Sequence, residues 1–160
     1  MNALKKEAVG DYLNAHFVAA YQKVGTFRLV NGQKQGGNVA SYFCTPDGEV
    51  LHAVAGPVNA AALLREARWA VETWKLAQLE SQGDRNRMKE TLRRAHADRF
   101  RAKHVLVHDL SQLTAISDRE SRVHLLLALA PLAKLENTYD LVFEKVLGEK
   151  VSTNPVNEGG

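Results

Sequence analysis

The stretch "VASYFCTPDGEVLHAVA", residues 39–55, gives the clearest local signal in the chain. Two apolar runs of strand length stand on either side of the turn sequence "TPDG" at residues 45–48. Pro46 presets φ for the second turn position, and Gly48 accepts the left-handed backbone that closes a hairpin. The stretch therefore predicts two neighbouring antiparallel strands.

A helix is predicted directly after this hairpin. Gly56-Pro57 ends the second strand, and Asn59 is a suitable N-cap for a helix from about residue 60 to residue 78. One apolar stripe of helical period is expected to lie on the sheet: Leu63, Leu64, Ala67, Ala70, Val71 and Trp74. A second stripe of Ala62, Trp69, Thr73 and Leu76 lies on another side. Either the C-terminal helices of the chain cover Trp69, or Trp69, Thr73 and Leu76 belong to an intermolecular interface.

The segments before the hairpin predict a helix, a strand and a loop. Residues 3–15 place apolar side chains on one face of a short helix. "HFVAAY", residues 16–21, is an apolar run without alternation, which is typical of a strand buried on both faces in a parallel sheet. Residues 22–38 carry four glycines, so we expect a long loop with a small hairpin at Asn31-Gly32.

The rest of the chain predicts helices. A basic helix from about residue 86 to residue 103 has only a narrow apolar seam, so we expect it to be poorly buried. Ser117 and Glu120 form a capping-box pattern ahead of a buried helix that ends before Pro131, and a last helix follows. The expected organisation is a first domain over 1–80, a helical extension over 81–150 and a disordered tail over 151–160.

Positive charge is concentrated in the basic helix. Eight of residues 85–103 are Lys or Arg and two are acidic, although the formal net charge of the whole chain is only +3. A polyanion-binding set would comprise Arg87, Lys89, Arg93, Arg94 and Arg101. These residues point in several directions and no row of aromatic residues lies among them, which favours a solvated helix or an acidic protein surface over nucleic acid. Membrane contact is not expected.

Candidate catalytic and metal-binding residues are few. Cys44 is the single cysteine, so an internal disulfide, a CxxC pair and a cysteine-rich zinc site are excluded within the chain, and we expect a buried structural thiol. His104 and His108 are four residues apart, but no third ligand is predictable, so polar surface histidines are the favoured interpretation. The sequence assigns no role to the scattered histidines His16, His52, His96 and His124. No catalytic residue, metal site or cofactor is predicted.

The order of elements over residues 3–77 resembles the C-terminal two thirds of a thioredoxin-like domain. "LNAHFV", residues 13–18, is similar to the helix end and strand that follow the active-site helix in that family, and "YFCTPDGEVLHAVAG" is similar to its terminal hairpin. The resemblance covers about half of the chain. It implies an α/β fold with a partial thioredoxin-like sheet, flanking helices and a C-terminal helical extension.

Both redox elements of the family are missing from this sequence. The resemblance would place a CxxC upstream of Met1, and the family's cis-proline before the first hairpin strand is replaced by Val39 and Ala40. Either a CxxC-bearing N-terminus is absent from this chain, or the fold is kept without redox chemistry, which the missing proline favours.

The function expected from the sequence is therefore a non-catalytic binding or assembly module. It would act through protein-protein contacts of the helical extension, with self-association into a homo-oligomer. A thiol-disulfide oxidoreductase and a nucleic-acid binder remain as alternatives. The composition, 45% hydrophobic and 24% charged, is that of a globular protein. Without a signal peptide or an apolar span, a cytoplasmic location is expected of the chain as written, and a removed N-terminal segment would leave the location open.

Overall fold

The computed structural model describes residues 3–20, 26–35, 38–104, 113, 116 and 118–151. These residues form a mixed α/β fold, as the sequence predicts at that level. The strands are β1 Thr26–Val30, β2 Gln33–Gln35, β3 Ala40–Cys44, β4 Val50–Ala55 and β5 Lys150–Val151. The helices are α1 Glu7–His16, α2 Ala60–Ser81, α3 Arg85–Arg101, α4 Arg119–Leu129 and the short α5 Tyr139–Leu141.

The predicted central hairpin is confirmed. β3 and β4 pair antiparallel from Ala40 opposite Ala55 to Cys44 opposite Val50. Gly48 has a φ of +78°, the left-handed conformation that the turn requires. All six residues of β4 are buried, so this strand lies in the core and the side chains of both its faces meet other elements.

The small hairpin at Asn31-Gly32 is also confirmed. Both turn residues have positive φ, 51° and 77°, which matches the twist of a two-residue hairpin loop between β1 and β2. β1 additionally pairs antiparallel with β5. Every strand pair in the described part of the chain is antiparallel.

The prediction of a buried parallel strand over residues 16–21 is wrong. α1 continues to His16, the backbone of residues 17–20 forms no strand, and Val18 is fully exposed. Phe17 alone turns towards the core, where its ring centroid lies 5.4 Å from that of Phe43. A buried strand needs hydrogen-bonding neighbours, and none of the described strands pairs with this segment. Tyr21 lies outside the described residues.

The three long helices begin at side-chain caps. Asn59 Oδ1 accepts a hydrogen bond from the N–H of Ala62 at 2.8 Å, which confirms the N-cap predicted for α2. Asp84 caps α3 in the same way. Asp118 caps α4 through the N–H of Ser121 at 2.9 Å. Ser117, the predicted cap of α4, lies outside the described residues.

α3 packs between α2 and α4, so the expectation of a poorly buried helix is wrong. Its inner face buries a set of mixed polarity: Thr91, Leu92, His96, Ala97 and Phe100. Two of these residues are polar, and this is why the apolar seam in the sequence underestimates the buried face. α3 thereby brings a histidine into the interior.

One core joins the hairpin to the helices that follow it. Val50, Ala53 and Ala55 of β4 pack in one cluster with Phe100 of α3 and the buried face of α4, on which Val123, Leu125, Leu126 and Leu127 lie. The hairpin of the expected first domain and the expected extension therefore share buried surface. No helix in the described part of the chain combines the length and apolarity needed to cross a bilayer.

The last predicted helix is broken into short pieces. A 3₁₀ turn, Leu135–Asn137, precedes α5, and a π-helical turn, Val142–Val146, follows it. The Thr138 hydroxyl donates to the Lys134 carbonyl at 2.9 Å, while the Thr138 N–H bonds to Leu135. The hydroxyl thus bonds to the Lys134 carbonyl, which in a regular α-helix would accept from the N–H of Thr138.

Candidate metal centre

Three histidines from three different elements meet in the interior. His52 lies on β4, His96 on α3 and His124 on α4, and each is 1% exposed. One ring nitrogen of each lies within 4.8 Å of a ring nitrogen of each of the others. The ring centroids are 5.0 Å (His52 to His124), 5.1 Å (His96 to His124) and 5.7 Å (His52 to His96) apart. We call these three residues the histidine cluster.

Trp69 of α2 forms a wall of the histidine cluster. Its ring approaches all three imidazoles edge-on, with centroid distances of 4.8 Å to His52, 4.9 Å to His96 and 5.2 Å to His124. The ring of Phe43 also stacks on His52, with the ring centroids 6.2 Å apart. Aromatic side chains from α2 and β3 therefore border the cluster.

The outer nitrogens of two of the histidines have acceptor partners. His96 Nε2 lies 2.9 Å from the carbonyl oxygen of Leu51. His52 Nε2 lies 2.7 Å from Oε2 of Glu66. A carbonyl and a carboxylate only accept hydrogen bonds, so Nε2 carries the proton in both neutral rings. The Nδ1 atoms of His52 and His96 are then unprotonated and offer lone pairs.

His124 completes a hydrogen-bond chain. Its Nδ1 lies 2.9 Å from His96 Nδ1, and because the latter is an acceptor, His124 Nδ1 must donate. Two buried side-chain nitrogens among the described residues then have no hydrogen-bond partner, His52 Nδ1 and His124 Nε2. Native proteins leave few buried polar atoms unpartnered, and such atoms frequently mark a functional site.

The three histidines are neutral near pH 7. Burial lowers the pKa of His52 and His124, and burial with the charge of neighbouring groups lowers the pKa of His96 to about 3. Neutral imidazole is the form that binds metal ions. Burial acts to raise the pKa of Glu66, but the hydrogen bond from His52 and the hydrogen bonds and charge of Arg99 outweigh it and lower that pKa to about 2. Glu66 is therefore a carboxylate.

Arg99 joins two carboxylates beside the histidine cluster. Its Nη2 lies 3.1 Å from Glu66 Oε1 and 2.7 Å from Glu120 Oε1, and its guanidinium carbon lies 5.0 Å from the centroid of Trp69. Oxygens of Glu66 and Glu120 also lie within 4.8 Å of a nitrogen of His124. Arg99 therefore competes with an ion for these carboxylates, whereas the lone pairs of the imidazole nitrogens carry no such ion pair.

Cys44 and His104 lie apart from the histidine cluster. Cys44 is half-buried, and burial raises the pKa of its thiol, which disfavours the reactive thiolate. His104 Nε2 lies 3.0 Å from Oδ1 of Asp118. His108, its proposed partner, lies outside the described residues.

The candidate interface residues have different surroundings. Trp69 contacts the histidines of α3 and α4, so helices of the chain itself lie against this side chain. This arrangement corresponds to the first of the two interpretations of the second stripe. Thr73 is buried. Leu76 remains 46% exposed.

Most of the candidate polyanion-binding residues are engaged in ion pairs. Arg93 pairs with Glu90, Arg94 lies 3.5 Å from Glu80, and Arg101 lies 3.8 Å from Asp98. This is the pattern of a solvated helix surface. The other two, Arg87 and Lys89, lie near the start of the same helix, exposed and half-buried respectively.

The histidine cluster is not predictable from the sequence, because its members share no regular spacing. Two of the three histidines nevertheless stand out in the sequence. His52 interrupts the apolar run "EVLHAVA", and His124 interrupts "RVHLLLALA". A polar side chain inside a run predicted to be buried needs a partner there, although the run does not identify the partner.

Comparison with protein-family models, with curated proteins and with solved structures finds no significant match to this chain.

Proposed function

We propose that this chain is a non-catalytic binding module that holds one first-row transition metal ion between His52, His96 and His124. The observation that carries the proposal is the pair of outer hydrogen bonds, from His96 to the Leu51 carbonyl and from His52 to Glu66. Metal-bound histidines almost always donate their other ring N–H to a carbonyl or a carboxylate. These bonds leave both Nδ1 atoms unprotonated: that of His52 has no partner, and that of His96 accepts from His124.

The spacing of the nitrogens is close to what an ion requires. Three nitrogens about 2.0–2.1 Å from one ion lie roughly 3.4 Å from one another, and the nitrogens of the cluster are already within 4.8 Å. The rings of His52 and His124 are inclined by only 16°, so binding includes rotation of a ring about its side-chain bonds. The proton between His124 Nδ1 and His96 Nδ1 moves to His124 Nε2, which is unpartnered.

The scaffold of this site is proposed to be the end of a thioredoxin-like domain. The support is the order of β3, β4 and α2 and the packing of α2 against β4. A thiol-disulfide function is disfavoured because the pKa of Cys44, the chain's single thiol, is raised. Contacts of the helical extension with another protein, or with a second copy of the chain, are compatible with metal binding.

The test is metal binding by protein stripped with a chelator, using Zn²⁺, Co²⁺ and, under anaerobic conditions, Cu⁺ in calorimetric titrations. The wild type is expected to bind one ion per chain, with absorption bands of nitrogen-bound Co²⁺. His96→Gln and His52→Gln are expected to weaken binding on the order of tenfold or more. His16→Gln is the matched control, because His16 is exposed at the end of α1.

Circular dichroism of each variant shows whether it is folded. If the wild type binds no ion, or if folded cluster variants bind as tightly as His16→Gln, the histidine cluster is only a hydrogen-bonded structural network and the proposal is wrong.

A further inference from the structure

The charged side chains around the histidine cluster determine whether they can neutralise a monovalent or a divalent ion. The three imidazoles are neutral, and the charged side chains that adjoin them are Glu66, Arg99 and Glu120, which sum to one negative charge. A monovalent ion makes this group neutral, whereas a divalent ion leaves one positive charge uncompensated. An uncompensated charge beside buried imidazoles weakens the binding of a divalent ion relative to that of a monovalent one.

Positive charges further from the cluster are screened or paired. Arg65 Nε lies 3.3 Å from Glu66, but the Arg65 side chain is 63% exposed, so water screens its charge. Lys103 is also exposed, and its amine lies 3.8 Å from Asp118, whose negative charge opposes it. Arg99 is therefore the cation that acts most directly on the charge of a bound ion.

Arg99 also limits how far a carboxylate can compensate a divalent ion. Three imidazole nitrogens are a ligand set that both copper and zinc accept, with water completing the coordination of zinc. The carboxylates that lie near His124 are those of Glu66 and Glu120, and Arg99 binds both of them. While Arg99 holds these carboxylates, their negative charge is partly used in the ion pairs, which weakens binding of a divalent ion more than that of Cu⁺.

We propose that Arg99 sets the ion selectivity of the histidine cluster, favouring Cu⁺ over divalent ions. This inference rests on the proposed function, since it concerns the same site. Arg99 acts through the carboxylates and through its own charge, so it is a positioning residue and not a ligand.

The test compares the affinities for Cu⁺, measured anaerobically against a cuprous chelator, and for Zn²⁺, measured against a zinc chelator. Arg99→Gln removes the positive charge and releases the carboxylates of Glu66 and Glu120. The ratio of Cu⁺ to Zn²⁺ affinity is then expected to fall on the order of tenfold or more. Arg99→Lys keeps the charge and is expected to retain most of the preference. Arg93→Gln on the same helix is the matched control, since Arg93 pairs with Glu90 away from the cluster.

A variant at the rim keeps the inference testable if Arg99→Gln does not fold. Glu120 is half-exposed, and Glu120→Gln removes one negative charge and one potential ligand. This change is expected to raise the ratio of Cu⁺ to Zn²⁺ affinity, opposite in direction to Arg99→Gln. Binding of both ions with a ratio that none of these changes moves overturns the role of Arg99 and leaves the proposed function standing. Binding of neither ion overturns both.

Discussion

Lowering the pH from about 7 to about 5 is expected to destabilise the ion-free chain through the histidine cluster. The pKa of each clustered histidine is lowered from 6.5 in the folded chain, for His96 to about 3, and returns to its usual value on unfolding. Their contribution to stability is therefore complete above about pH 6.5 and is lost as the pH falls towards the folded-state pKa values. In this window the clustered histidines take up protons more readily in the unfolded chain than in the folded one.

The expected loss is large. Each histidine that stays neutral in the folded state contributes a loss of ~2 kcal/mol over this range, so His96 and His124 together contribute ~4 kcal/mol. That is a large fraction of the stability of many domains. Carboxylates with lowered pKa values, such as Glu66 and Asp118, lose their contribution mainly below about pH 4.5, outside this window.

The assay is urea-induced unfolding at a series of pH values, followed by tryptophan fluorescence and circular dichroism. His124→Gln is expected to reduce the pH-dependent loss by ~2 kcal/mol, whatever its own effect on stability. His16→Gln, on the surface, is expected to leave the slope unchanged. A free energy of unfolding that stays constant from about pH 7 to about pH 5 would refute the reasoning.

Three further expectations concern the fold and the thiol. Phe100→Ala is expected to lower the free energy of unfolding by ~4 kcal/mol, because Phe100 is fully buried, whereas Leu79→Ala at a 77% exposed position should change it little in the same urea titration. Asn59→Ala is expected to cost ~1 kcal/mol through loss of the α2 cap, and an unchanged unfolding midpoint would contradict that role. Cys44 is expected to react slowly with iodoacetamide in the folded chain and rapidly in urea, because burial raises the pKa of its thiol; equal rates would show that it is accessible.

The elements that the sequence predicts correctly are those fixed by local chemistry. The turn at Pro46 to Gly48, the turn at Asn31-Gly32 and the cap at Asn59 each depend on a few adjacent residues. The strand predicted for residues 16–21 fails because an apolar run identifies a buried strand only if a neighbouring strand is present to pair with it. Apolar composition does not supply that neighbour.

The candidate site could not be predicted from residues that are neighbours in the sequence. His52, His96 and His124 are brought together by the packing of β4, α3 and α4, and this arrangement depends on tertiary contacts. The sequence shows α3 as a basic helix, and its buried face is recognisable only when α2 and α4 are in place on either side. Arg99, one of the residues that make this helix basic, then proves to be an inward partner of Glu66 and Glu120.

The most direct test of an ion held by the histidine cluster is X-ray absorption at the metal edge, on protein loaded with one equivalent of Cu⁺ under anaerobic conditions. The account predicts three nitrogen ligands at about 2.0 Å, with the outer-shell scattering of imidazole rings and no sulfur. A spectrum with sulfur from Cys44, or without imidazole scattering, would contradict it.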